Sequence, residues 1–211
     1  MRLVTIDARE TRARSIASAH ARGLEVSVGL PLLECDGSAR PIDEVCSRLL
    51  AMNAVAAVAY GFDRKKALAW LASEELQGEL TPAERRFVAD GAGPARPFQA
   101  QIEGMWALAW AAGLVPALDF GRACDDRFSF MLPDLKVAAP GAVLRARARL
   151  RSAEELWAAC DLAYCLHAAI TSRRLAGGAV TPPNPTWVIE RRRALEWLLG
   201  GDAWDEVSLD T

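Results

Sequence analysis

Between Leu156 and Ile170 the sequence LWAACDLAYCLHAAI is apolar on nearly every face of a helix. Such a helix cannot lie on a surface with one side in water; it has to run through the middle of a body made of other helices. Ser152-Ala153-Glu154-Glu155 stands just before it as a capping box, and Gly177-Gly178 follow, so the spacing predicts a helix ending near Leu175. This one segment restricts the fold more than any other.

The same punctuation recurs along the chain. Ile42 to Tyr60 has helical spacing between Pro41 and Gly61, and Asp63 can cap a short helix running to Ser73. Thr81-Pro82-Ala83-Glu84 is a second capping box with proline at the first helical position, and Gly91 is its stop. Phe98 to Ala112 reads as one apolar helix closed by Gly113. A rigid linker, Thr181-Pro182-Pro183-Asn184-Pro185, leads into a last helix ending at Leu199 before Gly200-Gly201. Strand signals are thin: Leu24 to Leu30 could be a short extended piece, and Val143 to Arg151 alternates arginine with apolar residues. Neither has an evident partner. The expectation is all-α: a single multi-helix domain of about six to eight helices over residues 41–211. Before it, residues 1–40 are expected to form a helix and a loosely structured or short extended segment.

Composition mostly excludes. Twenty-five basic and 27 acidic side chains give a net charge of −2, so no global field attracts nucleic acid or an anionic membrane. Charges near the N-terminus argue against a signal peptide. The apolar stretch Phe98 to Leu118 contains Gln99, Gln101, Glu103 and Pro116, and so reads as core rather than as a membrane span. Five cysteines (Cys35, Cys46, Cys124, Cys160, Cys165) form an odd, scattered set without CxxC spacing, which suits reduced thiols in a cytoplasm. With no phosphate-cradling glycine loop, no Glu-x-x-His pair and two histidines in all, the expectation is no cofactor and no metal.

Chemistry could reside where charges fall inside apolar helices. Asp161 and His167 are the only readily charged residues between Leu156 and Ile170, and Glu103 is the only charge between Arg96 and Asp119. On the last helix Arg191 shares a stripe with Trp187, Ala194 and Leu198, and Glu190 shares one with Ala194 and Trp197. Arg192 and Glu196, four apart, read as an ordinary solvated pair. Asp161, Tyr164 and His167 are successive three-residue steps, which trace a slanting polar track along the helix. A lone buried carboxylate is costly, so Arg191 is expected to answer at least one of Asp161, Glu103 and Glu190.

Two readings of this cluster stay open. Either it lines a cleft, with His167 as acid or base and Arg191 holding an anion, or it is a sealed network that fixes helix register. A Cys165–His167 thiolate–imidazole pair is a third, weaker option. In the C-terminal tail, Trp204, Val207 and Leu209 are expected to dock on the bundle, with Asp205 capping or pairing and Asp210 close to the end. The acids of the tail (Asp202, Asp205, Glu206, Asp210) follow no calcium-loop pattern. If extended, Arg145, Arg147, Arg149 and Arg151 would line one side and could follow a phosphate backbone.

Several segments taken together resemble the DUF4272 family, a domain of unknown function, over Gly23 to Thr211. They are IDEVCSRLLAMNAVAAVAYG, LTPAERRF, IEGMWALAWAAGL and LRSAEELWAACDLAYCLHAA. Most specific is the ending, where E-R-x-x-A-L-x-W-L runs into W-D-x-V-x-x-D-T, followed by the D-x-x-Y-x-x-H of Asp161, Tyr164 and His167. The resemblance implies an all-helical fold and carries no activity. The first functional expectation is therefore a cytoplasmic, non-catalytic module that binds another macromolecule, a homodimer being one form. Its alternative is a small-molecule-binding or hydrolase-like protein using the polar cluster; nucleic-acid binding through the arginine run is the weakest.

Overall fold

The computed structural model describes residues 6–33, 38–179 and 183–211. In chain order the helices are α1 (Ala8–His20), α2 (Ile42–Ala59), α3 (Arg64–Ser73), α4 (Pro82–Asp90), α5 (Arg96–Ala100), α6 (Ile102–Ala111), α7 (Ala142–Arg147), α8 (Ala153–Leu175) and α9 (Pro185–Leu199). Among the described residues there is no strand, and the protein is all-α. No helix there is long and apolar enough to cross a membrane. Cys35 and the Thr181-Pro182 start of the linker lie outside the described residues.

The chain divides into two compact units. The first takes the described parts of residues 1–40, 119–123 and 151–211. Within it α8 packs against both α1 and α9. The capping box is made: Ser152 Oγ accepts from Glu155 N at 3.3 Å and Glu155 Oε2 accepts from Ser152 N at 3.1 Å. Leu156, Trp157, Leu166 and Ile170 are buried along α8, and each such side chain contributes about 1.5–3 kcal/mol relative to exposure. Helix α1 is different, because its buried positions are Thr11, Arg12, Ser15 and Ala19. It offers α8 a narrow stripe of small and polar residues instead of an apolar face.

Arg40 closes the first unit at the far end of α9. Its Nε donates to Trp197 O at 2.7 Å, its backbone N–H donates to Leu198 O at 2.9 Å, and its guanidinium lies 4.5 Å from the Trp197 ring centroid. These bonds fill carbonyls that the last turn of a helix leaves open.

The second unit comprises residues 41–118 and 124–150. Here α2 is the centre, touched by α3, α4, α5, α6 and α7. The α4 capping box does a second job. Glu84 accepts from Thr81 N at 3.0 Å and also receives Arg48 of α2 through two bonds, at 2.8 and 2.6 Å. Both side chains are buried, with Glu84 at 0% exposure. Gly113 ends α6 with φ +68°, and a Cβ there would come within 2.9 Å of Arg149 O. Arg149 N donates to Ala112 O at 2.9 Å, so the close approach is itself a hydrogen-bonded junction.

Two expectations are corrected. The Phe98–Ala112 helix is interrupted at Gln101, which with φ −59° and ψ −13° is at once the C-cap of α5 and the N-cap of α6. The run from Val143 is not extended: residues 142–147 form α7. Ala and Arg are good helix formers, and Leu144 is buried while Val143 is 65% exposed. Residues two apart on a helix point about 200° from one another, so Arg145 and Arg147 cannot line one side. Arg145 instead donates to Ser47 Oγ at 3.1 Å.

Candidate functional site: a charged cluster along helix α8

Asp161 is buried on α8, and its partner is Arg12 of α1. Nε donates to Oδ1 at 3.1 Å and Oδ2 at 3.2 Å, and Nη2 donates to Oδ1 at 2.8 Å. Arg12 spends its remaining donors on Leu30 O at 2.9 Å and Pro31 O at 2.8 Å. One guanidinium thereby ties α1, α8 and the segment after α1 together. A two-pronged fork on a carboxylate is the strongest of the ordinary ion-pair geometries.

One turn further along, the Tyr164 ring is flanked by two cations. Arg12 lies 5.6 Å from its centroid and Arg192 of α9 lies 4.6 Å from it. Arg192 continues the track to His167, with Nη1 at 2.6 Å from Nδ1. Arginine can only donate, so Nδ1 accepts, and the neutral ring carries its proton on Nε2. Burial, and then the Arg192 charge, push the imidazole down to about 4. Arg192 also donates to Glu196 Oε1 at 2.7 Å, Leu209 O at 3.0 Å and Asp210 O at 3.0 Å.

The track of Asp161, Tyr164 and His167 is therefore spanned by two arginines, one from each flanking helix. Cys165 is not a thiolate in this setting. Its Sγ donates to Asp161 Oδ2 at 3.8 Å, and burial, followed by the Asp161 charge, pushes the thiol up to about 12. The Cys165–His167 nucleophile pair is thus overturned. The solvated pair is corrected as well: the Arg192 side chain is 3% exposed and Glu196 17%. Spacing of four residues is the same for wet and dry pairs, and the tail that covers Arg192 is remote from it in sequence.

Arg191 is fully buried and grips the segment 119–123. It donates to Asp119 O and to Arg122 O, the latter at 2.7 Å, with the Phe120 ring centroid 5.8 Å away. Glu190 sits 3.9 Å from Arg193 Nε, and burial raises its carboxyl above the ordinary range. Glu103 belongs to the second unit, where its Oε1 accepts from Cys124 N at 3.1 Å. In the tail, Trp204 is buried edge-on against Trp197 with centroids 5.6 Å apart, and Val207 is buried. Asp205 is exposed, and Asp210 contributes its backbone carbonyl to Arg192.

Sequence reasoning missed Arg12 and Arg192 as members of this cluster and, in the second unit, Arg48 as the partner of Glu84. The available signal for Arg12 was indirect: α1 has Ser15 and Ala19 four apart but no apolar face, so it needs polar contacts to dock.

None of Arg12, Asp161, Tyr164, His167 and Arg192 lines any of three surface grooves of about 650, 300 and 610 Å³. Among the described residues no group of three or more His, Cys, Asp or Glu is placed to hold a metal.

Fold and cluster together define an all-helical protein in which arginines from flanking helices close the charges of a central helix. The chain belongs to the DUF4272 family, a domain of unknown function, whose profile matches residues 11–207. Neither a curated protein nor a solved structure matches it.

Proposed function

We propose that this chain is a non-catalytic interaction module whose working surface is separate from its charged cluster. The observation that carries the reading is that the cluster is spent on itself. Every donor-bearing nitrogen of Arg12 and Arg192 has a protein acceptor, the Cys165 thiol is held protonated, and the Asp161 carboxylate is buried. A reacting group needs an accessible partner atom, and the two guanidiniums have used theirs. Several apolar side chains stay outside, among them Phe130, Val143 and Tyr60 at 85%, 65% and 64% exposed. Protruding apolar and aromatic side chains next to a groove are a common mark of macromolecular contact.

The test sets one change in the cluster against one on the surface. His167→Ala should lower the melting temperature and alter no binding. Phe130→Asp should leave the melting temperature within about 2 °C and remove any complex that the chain forms in extracts of its own cells. A saturable small molecule, or turnover, that disappears in His167→Ala with melting unchanged would overturn the proposal.

A further inference from the structure

The stretch after α1 makes no ladder with any described residue, yet its burial has the pattern of a strand. Leu24 and Val26 are buried, whereas Glu25 and Ser27 are exposed. A period of two is that of extended backbone. Both ends of the stretch are fixed. Leu24 N donates to Ala19 O at 3.0 Å, and Gly23 O accepts from Arg173 Nη2 at 2.8 Å. At the far end Leu30 N donates to Ser27 O at 3.1 Å, and Arg12 holds the carbonyls of Leu30 and Pro31. Between these anchors the backbone is unspent. Among the described residues no acceptor meets the N–H groups of Glu25, Val26, Ser27 and Val28, and no donor meets the carbonyls of Glu25, Val26 and Val28.

This stretch walls the groove of about 650 Å³, which lies within the first unit. Helix α8 lines the same groove with Ala169, Ser172, Arg173 and Ala176. Those positions are spaced i, i+3, i+4 and i+7, so they share one helix face. Apart from Arg173 their side chains are small, and the space beside the extended backbone stays open.

We propose that the groove takes an extended segment of another polypeptide, which adds as a strand along residues 25–28 and places a lysine or arginine beside Glu25. Hydrogen-bond geometry selects that occupant. Donors and acceptors recur along the stretch at about 3.3 Å per residue, and a second extended backbone matches such a row group for group. An apolar ligand would cover the same groups without bonding them, which is costly. An unpaired row of this kind is a template for strand pairing. Because both ends are already anchored, little further ordering is needed when a partner arrives. Charge then sets one side chain of that partner. Arg173 is engaged with Gly23 O, but Glu25 is exposed and has no ion-pair partner among the described residues. A basic residue directly across an added strand completes that pair. The surface is separate from Phe130, which belongs to the second unit.

NMR titration of the nitrogen-15-labelled full chain with the blocked peptide acetyl-TVKVTV-amide tests this. Amide signals of residues 25–28 should shift with a Kd of about 10–500 μM. Methylating the backbone nitrogens of the peptide's lysine and the next valine removes one donor from each edge, and should weaken binding at least about tenfold. Val28→Pro removes one donor of the protein at the second position of the Ser27–Leu30 turn, where proline fits. It should weaken binding about fivefold with helical circular dichroism unchanged. Glu25→Lys should reverse the preference between this peptide and acetyl-TVEVTV-amide, and Phe130→Asp should change nothing. The proposal is overturned if these amides do not shift up to about 2 mM peptide, if the shifts lie elsewhere, or if the methylated peptide binds equally well. A chain that self-associates alone and becomes monomeric in Val28→Pro also overturns it, since a second copy is then the occupant.

Discussion

Replacing Arg12 with methionine tests the physics of the cluster most directly. Asp161 is 4% exposed, and Arg12 supplies three of its hydrogen bonds, leaving Cys165 Sγ at 3.8 Å as its remaining side-chain donor. Leu30 and Pro31 also lose a donor, but they are half-buried and exposed, so water can replace it. The cost therefore falls on one stranded carboxylate, for which about 3–5 kcal/mol is expected. For a chain of this size, that is a drop of roughly 6–20 °C in melting temperature. The double variant Arg12→Met/Asp161→Leu removes the charge together with its partner and should recover most of the loss, because an apolar replacement of a buried pair is often neutral. Urea titrations of the two single variants and the double variant, followed by circular dichroism, give the coupling energy. The reasoning fails if Arg12→Met costs under about 1 kcal/mol, or if the double variant is as unstable as the sum of the single ones.

Three further outcomes can be checked by the same methods. His167 is held neutral to about 4, against 6.5 for the ordinary side chain, so below 6.5 the unfolded chain takes up a proton that the folded one refuses. Stability should fall from pH 6.5 toward 4, and His167→Gln should flatten that slope; an unchanged slope contradicts the Arg192 geometry. Trp204→Ala removes a buried ring from Trp197 and should cost about 3–5 kcal/mol in urea unfolding, with an unaltered midpoint counting against tail docking. Gly113→Ala sets a Cβ 2.9 Å from Arg149 O at a positive φ and should cost about 1–3 kcal/mol; a neutral result in thermal unfolding would mean that the junction relaxes freely.

Where α2, α3, α4, α8 and α9 form was legible in the chain because the causes are local. The capping boxes at Thr81 and Ser152 fix where α4 and α8 begin within three residues of sequence. The apolar run after Ser152 says that α8 is central whatever surrounds it. The polar track of Asp161, Tyr164 and His167 could be read for the same reason, as three positions on one helix. Its partners could not. Arg12 is 149 positions from Asp161, and nothing near Arg12 distinguishes it from Arg9 or Arg14. Arg191 and Arg192 are adjacent and both buried, so periodicity on α9 could not say which of them meets the track.

The sequence by itself determined where α2, α3, α4, α8 and α9 lie, the caps of α4 and α8, the central place of α8 and the need of its buried charges for partners. Only the tertiary structure decided who those partners are, that α7 is a helix rather than a charged ribbon, and that Glu84 serves a cap and a buried ion pair together. The reason is range. Backbone capping and hydrophobic spacing act within a few residues. The choice of a counter-charge depends on which distant surface arrives there, and that is settled by packing.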